Sequence, residues 1–181
     1  MAPNSLERFI TDVRSDWAPI SSEVVENCRN HLASLMRANI SEEWLAKLHA
    51  EHPASRELYR DPDAGFVLLA HTETDGLYRP PHDHGRAWVV YSVGWGELEV
   101  GTFAKVLDQE GKVQLVKRDS TVLRAGGARA YLPGDIHDTR CISETALLFR
   151  FTERDLRHED QVEHRLTRFV ERGGHWTTLG K

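Results

Sequence analysis

Pro53 divides this chain of 181 residues into two regimes of apolar spacing, and the second regime admits few folds. Beyond it the apolar residues fall in short runs rich in β-branched and aromatic side chains: Phe66 to Ala70, Trp88 to Val93, Leu98 to Val100, Val113 to Val116 and Ala146 to Phe151. Turn signals separate them at Asp75-Gly76, Gly94-Trp95-Gly96, Glu110-Gly111 and Gly126-Gly127. Short strands with regular turns and no helix between them predict an antiparallel sandwich or barrel over residues 53–152.

Before Pro53 the spacing is helical. Leu6, Phe9, Ile10 and Val13 form one stripe, and Val24, Val25, Cys28, Leu32, Leu35 and Met36 form a second. Ser41, followed by Glu42 and Glu43, reads as the cap of a third helix running to about Leu48. Residues 1–52 are therefore expected to be a helical cap. From residue 153 the chain is highly charged, with Leu156, Val162, Leu166, Phe169 and Val170 at helical spacing, so residues 153–181 are expected to hold a helix and an arm ending near Gly173-Gly174.

With 40% apolar residues the chain can bury one sizeable core, and its length suits a single domain. A net charge of −5 without a basic stripe argues against nucleic acid or an anionic membrane as partner. The first residues lack the continuous apolar run of a signal peptide, and no run is long enough to span a bilayer, so a cytoplasmic location is expected. Cys28 and Cys141 are too few to suggest a disulfide framework and read as reduced packing residues.

The chemistry concentrates in Pro81-His82-Asp83-His84-Gly85 and in Leu132-Pro133-Gly134-Asp135-Ile136-His137. Histidines one residue apart on a strand share a face, so His82 and His84 can meet one ion while Asp83 points away. His137 from a distant strand would complete a neutral three-imidazole set, leaving open positions for water, dioxygen or an anionic substrate. Such a set suits iron, zinc, nickel or copper. His31, His49, His52, His71, His158, His164 and His175 fit no ligand spacing and read as surface or capping residues.

These two segments resemble the two motifs of the cupins. Gly76, five residues, His82, His84, four residues, Val89, six residues and Gly96 match the first, with Val89 where that motif has a glutamate ligand. Gly126, five residues, Leu132-Pro133-Gly134, two residues and His137 match the second, with Cys141 in place of its final asparagine. The resemblance implies a mainly β fold, a jelly-roll barrel (double-stranded β-helix) with helices at both ends, holding a metal at His82, His84 and His137. With Val89 the pattern is similar to the three-histidine group of cysteine dioxygenase and 3-mercaptopropionate dioxygenase. That implies Fe(II), dioxygen and a small anionic substrate such as a thiol carboxylate, with zinc, nickel, manganese or copper as other occupants. It also implies an arginine gripping the substrate carboxylate, which falls on Arg56, or failing that Arg60.

The Ser-His-Tyr series of that group falls on Leu148, Arg150 and Thr152, and its cross-linked cysteine on Val89. Arg150 lies between Phe149 and Phe151, so alternation gives it the opposite face, where a buried arginine needs an anion. Tyr78, Trp88, Tyr91 and Tyr131 are candidate pocket walls, Tyr91 and Tyr131 also candidate hydrogen-bond donors, and Asp138 a candidate acceptor for an imidazole. The alternatives are a non-oxidative metal cupin (isomerase, lyase or hydrolase) and a metabolite-binding cupin without catalysis. A homodimer is compatible with either.

Overall fold

The computed structural model describes residues 3–179. Three helices come first: α1 (Ser5–Asp16), α2 (Ser22–Leu35) and α3 (Glu43–Glu51). Nine strands follow: β1 (Arg56–Arg60), β2 (Val67–Thr74), β3 (Tyr78–His82), β4 (Val89–Trp95), β5 (Glu97–Leu107), β6 (Val113–Arg124), β7 (Ala128–Tyr131), β8 (Ile136–Cys141) and β9 (Thr145–Thr152). The chain closes with α4 (Leu156–Gln161) and a hairpin of β10 (Phe169–Arg172) and β11 (His175–Thr178).

The strands form two antiparallel sheets, ordered β1-β2-β9-β4-β7 and β3-β8-β5-β6. Neighbours distant in sequence alternate between the sheets, and this is a jelly-roll barrel, a double-stranded β-helix. Strand alternation divides the five-stranded sheet into two chemically different faces. Leu68, Ala70, Val90, Leu147, Phe149 and Phe151 face outward and pack with Phe9, Val13, Cys28, Leu32 and Leu48 of the helices. Val89, Tyr91, Val93, Ala146 and Leu148 face inward, against Leu98, Val100 and Cys141 of the other sheet. Helix α1 is fixed at its start by a capping box, in which Asn4 Oδ1 accepts from the Glu7 amide (2.9 Å) and Glu7 Oε2 from the Asn4 amide (2.8 Å). Its stripe then sets Phe9 edge-on to Phe151, with centroids 6.1 Å apart.

Two expectations about elements are corrected. Ser41 does not cap α3: its hydroxyl donates to Asn39 Oδ1 (2.9 Å), Glu42 is the cap residue without a side-chain cap bond, and the helix continues to Glu51. The expected C-terminal helix is only six residues long, and Gly173-Gly174 is the turn of a hairpin. Both glycines have positive φ (60° and 81°), as a two-residue hairpin loop requires, so the Gly-Gly pair outranks the helical spacing upstream. The tail packs back on the barrel through Trp176, whose ring lies 6.1 Å from that of Phe103. Among the described residues no helix is long and apolar enough to cross a membrane.

Candidate metal centre

His82 is the last residue of β3, and antiparallel pairing sets it directly opposite His137 of β8. His84 lies past the strand end, so its convergence with His82 does not come from strand alternation. It comes from the loop, where Gly85 takes φ 64° and the Ala87 amide donates to the His84 carbonyl (3.1 Å). Asp83 ties this loop down: its Oδ1 accepts from the Gly85 amide (3.0 Å) and from the Thr167 amide (2.9 Å), and its own amide donates to the Thr167 carbonyl (3.0 Å).

One nitrogen of each of His82, His84 and His137 lies within 4.8 Å of the others, and among the described residues they form the one such cluster. His82 Nδ1 donates to the Pro80 carbonyl (2.8 Å), which leaves its Nε2 lone pair free. The Nε2 atoms of His84 and His137 are 3.4 Å apart. Two nitrogens each about 2.0–2.1 Å from one tetrahedral ion would stand about 3.4 Å apart, so this pair is already at ligand spacing. His84 is 1% exposed and His137 fully buried, and burial, then the neighbouring histidines, depresses both well below the usual imidazole range. Burial also lowers His82. All three are thus held neutral, the form that ligates metals. Val89, in the place of a carboxylate ligand, is fully buried in the apolar interior. The residues fit an ion that accepts three neutral nitrogens and keeps positions open; the donor types do not select iron over zinc, nickel, manganese or copper.

Tyrosines brace the cluster. The Tyr131 ring stacks on His137 (centroids 3.9 Å, 28°), Tyr91 meets the same imidazole edge-on at 5.0 Å, and the Tyr91 hydroxyl is 3.3 Å from His84 Nε2. Burial raises the pKa of both phenols, so they are hydrogen-bond donors and not phenolates. The Tyr131 hydroxyl is buried without a partner among the described residues.

A cavity of about 430 Å³ opens from His82 and His84, walled by β2, β3, β4 and β9 and roofed by α4 and β10. Its charges are mostly paired. Arg79 bonds Glu73 (2.7 Å), and Arg168 holds Asp160 through two bonds of 2.7 Å. Arg150 enters the cavity from β9, directly opposite Tyr91, with no carboxylate partner among the described residues and with its buried Nε unbonded.

The other expected site residues lie elsewhere. Arg56 forms an ion pair with Glu51, and Arg60 pairs with Glu57 (2.7 Å) and Asp155 (2.8 Å); neither lines the cavity. Trp88, adjacent to inward Val89, faces the helices and packs on Phe151 (5.5 Å) and Trp17 (6.1 Å). Asp138 follows His137 and so points to the opposite face of β8, where it accepts from the Tyr78 hydroxyl (2.9 Å) and the Gly101 amide (2.8 Å), away from any imidazole. Tyr78 lines the cavity. His71, read as a surface residue, is instead buried on β2 and lines the cavity, as does Glu73. The period-two placement of Leu69, His71 and Glu73 within an apolar strand was the available signal. Among the remaining histidines, His31 bonds Asp16 (2.7 Å) and His49 stacks on Trp95 at 3.8 Å.

No protein-family model matches the chain, and no curated protein matches it. Among solved structures it is similar to the Schizosaccharomyces pombe Cnp3 cupin domain, at 12% identity over 59% of this chain and 64% of that one, with a TM-score of 0.44. It is also similar to KdgF from Halomonas sp. (18% identity, 56% and 78% covered, TM-score 0.43). A third is oxalate oxidase in complex with the substrate analogue glycolate (24% identity, 64% and 53% covered, TM-score 0.41). The chain thus spans less than two thirds of the Cnp3 and oxalate oxidase chains. Such distant likeness assigns no activity. The fold and the site together define a jelly-roll barrel (double-stranded β-helix) with three histidines grouped so that they can hold a metal.

Proposed function

We propose that this protein is a non-haem Fe(II) dioxygenase that uses O₂ to oxidise a small anionic substrate of the thiol-carboxylate kind. The observation that carries the reading is a cluster of three neutral histidines, two of which (His82 and His84) line the same cavity as Arg150, whose guanidinium has no carboxylate partner among the described residues. Iron held by His82, His84 and His137 would supply the redox chemistry with dioxygen. The protein's own part is binding, orientation and exclusion of water.

Arg150 attracts the anion and holds it beside the histidines. The Tyr91 hydroxyl, protonated and 3.3 Å from His84 Nε2, donates a hydrogen bond to whatever group of the substrate reaches that position. Leu148, Leu156, Leu166 and Phe169 supply apolar wall and roof, which keep water out. No Ser-His-Tyr series stands over the site, since Leu148, Arg150 and Thr152 occupy those places. The anion is therefore held differently from the arrangement in the thiol dioxygenases.

A second reading is favoured by Glu73, a carboxylate only 2% exposed in the same cavity. A buried carboxylate near a bound metal can move a proton, as a Lewis-acid isomerase, lyase or hydrolase requires. Oxygen uptake separates the two. Anaerobically Fe(II)-loaded protein is mixed with O₂ and thiol carboxylates, β-diketones or hydroxy-aromatic acids, with His84→Ala as control. Uptake with at least one class, abolished in His84→Ala, is the expected result. Full metal loading with no uptake from any class would overturn the dioxygenase reading and favour the non-oxidative one.

A further inference from the structure

We propose that His71 is a hydrogen-bond acceptor on the wall of the metal cavity, and that it reads a neutral hydroxyl carried by the anionic substrate. This rests on the metal-cavity reading above and narrows it from small anions to hydroxylated ones.

The tautomer of His71 sets its role. The Ala54 carbonyl accepts a hydrogen bond from the ring, and Nε2 has no partner among the described residues, so the ring proton sits on Nδ1. Nε2 is then a bare lone pair in a side chain 9% exposed, and native interiors seldom leave a buried acceptor without a donor. Burial, then the charges of Arg150 and Arg79, pulls the ring down to about 3, which keeps that lone pair free of a proton at neutral pH. His71 lies on β2 opposite Leu148 of β9, and both line the cavity. It stands outside the cluster of His82, His84 and His137, so its lone pair is not one of those that can meet the ion.

The cavity's own groups do not supply the missing donor. Glu73 and Asp160 are acceptors, held by Arg79 and Arg168. The two phenols are engaged, Tyr78 with Asp138 (2.9 Å) and Tyr91 beside His84 Nε2 (3.3 Å). A ligand must therefore bring the donor, and charge selects its kind. An ammonium is repelled by the same Arg150 and Arg79 charges that depress His71, and a carboxylate has no proton to give. A hydroxyl both gives and takes: its proton goes to His71 Nε2, and its oxygen accepts from Arg150 Nε, the unpartnered donor diagonal to His71 across the β2–β9 pair. The expected ligand is thus a hydroxy acid, and the amino acid of the same skeleton is disfavoured.

The test is an NMR titration of isotope-labelled histidine rings, in metal-free and in zinc-loaded protein, with lactate, propionate and alanine. These share a carbon skeleton and carry a hydroxyl, nothing and an ammonium at the same position. Before addition the His71 ring should show an unprotonated Nε2, and lactate should shift that resonance. Lactate should bind several-fold more tightly than either propionate or alanine. His71→Phe, which keeps a ring and removes the acceptor, should bring lactate down to the level of propionate while leaving propionate itself unchanged, a split that a purely structural role would not produce. His71→Gln, whose amide oxygen can take the place of Nε2, should retain the preference. Should His71→Phe fail to fold by circular dichroism, the wild-type ring resonances and the His71→Gln affinities decide. A proton found on Nε2, a lactate preference that survives in His71→Phe, or no preference for lactate over propionate would overturn the subsite while leaving the metal cavity in place. Lactate preference in a protein that retains no metal would leave the subsite standing and remove the oxygenase reading.

Discussion

Asp83→Ala tests how the metal loop is held. The Asp83 carboxylate accepts from the Gly85 amide (3.0 Å) and the Thr167 amide (2.9 Å), one bond inside the ligand loop and one to the segment that roofs the cavity. Hydrogen bonds to a charged acceptor contribute about 1.5–3 kcal/mol when buried and about 1 each when half in water, as Asp83 is. Losing both should cost about 2 kcal/mol. For a domain of this size that corresponds to a fall in Tm of about 4–8 °C, read by differential scanning calorimetry. The loss is also local, because His84 follows Asp83 and owes its position to the same loop. Zinc affinity, from competition with a chromophoric chelator, should fall about tenfold, at the low end of what outer partners of metal ligands contribute. An unchanged Tm together with unchanged affinity would refute the claim that Asp83 fixes the loop.

Three further outcomes follow from the same structure. The Asp61 carboxylate, 1% exposed, meets burial that would raise its pKa, but Arg14, the Ala64 and Asp63 amides and the Tyr59 hydroxyl outweigh it and hold the group at about 2 against an ordinary 3.8. Its stabilisation is complete above pH 3.8 and is lost as pH falls towards 2, about 2 kcal/mol in all; urea unfolding at pH 5 and pH 2.5 should show that loss in wild type and a correspondingly smaller one in Asp61→Asn. Trp88→Ala removes a side chain 2% exposed between the helices and the sheet and should cost about 3–5 kcal/mol by chemical denaturation, with metal stoichiometry per folded molecule unchanged. Arg56→Ala breaks a half-exposed ion pair with Glu51 and should change stability by less than about 1 kcal/mol and leave carboxylate binding as in wild type, in contrast to Arg150→Gln.

The barrel was legible because its signals are local. Short apolar runs, turn pairs and the two histidine segments each constrain a few neighbouring residues, and the inward direction of Arg150 follows from its position between Phe149 and Phe151. What failed were inferences that needed a direction or a partner supplied from elsewhere in the chain. Arg56 and Trp88 have suitable chemistry, but Arg56 is on an edge strand beside Glu51 and Trp88 is one residue out of phase with the cavity face. Asp138 is likewise out of phase with His137. The residues adjacent to His71 do not distinguish a buried imidazole from a surface one; only the alternate positions Leu69 and Glu73, on the same strand face, do. The C-terminal hairpin was masked by apolar spacings that fit a helix, although Gly173-Gly174 between two four-residue runs is a hairpin signal.

Whether His82, His84 and His137 hold one metal ion is read by equilibrium dialysis of the purified protein against Fe(II) under anaerobic conditions, followed by elemental analysis, with His84→Ala and His137→Ala alongside. One ion per chain is expected in the wild type and little or none in either variant. Metal bound equally by all three proteins, or by none of them, would contradict it.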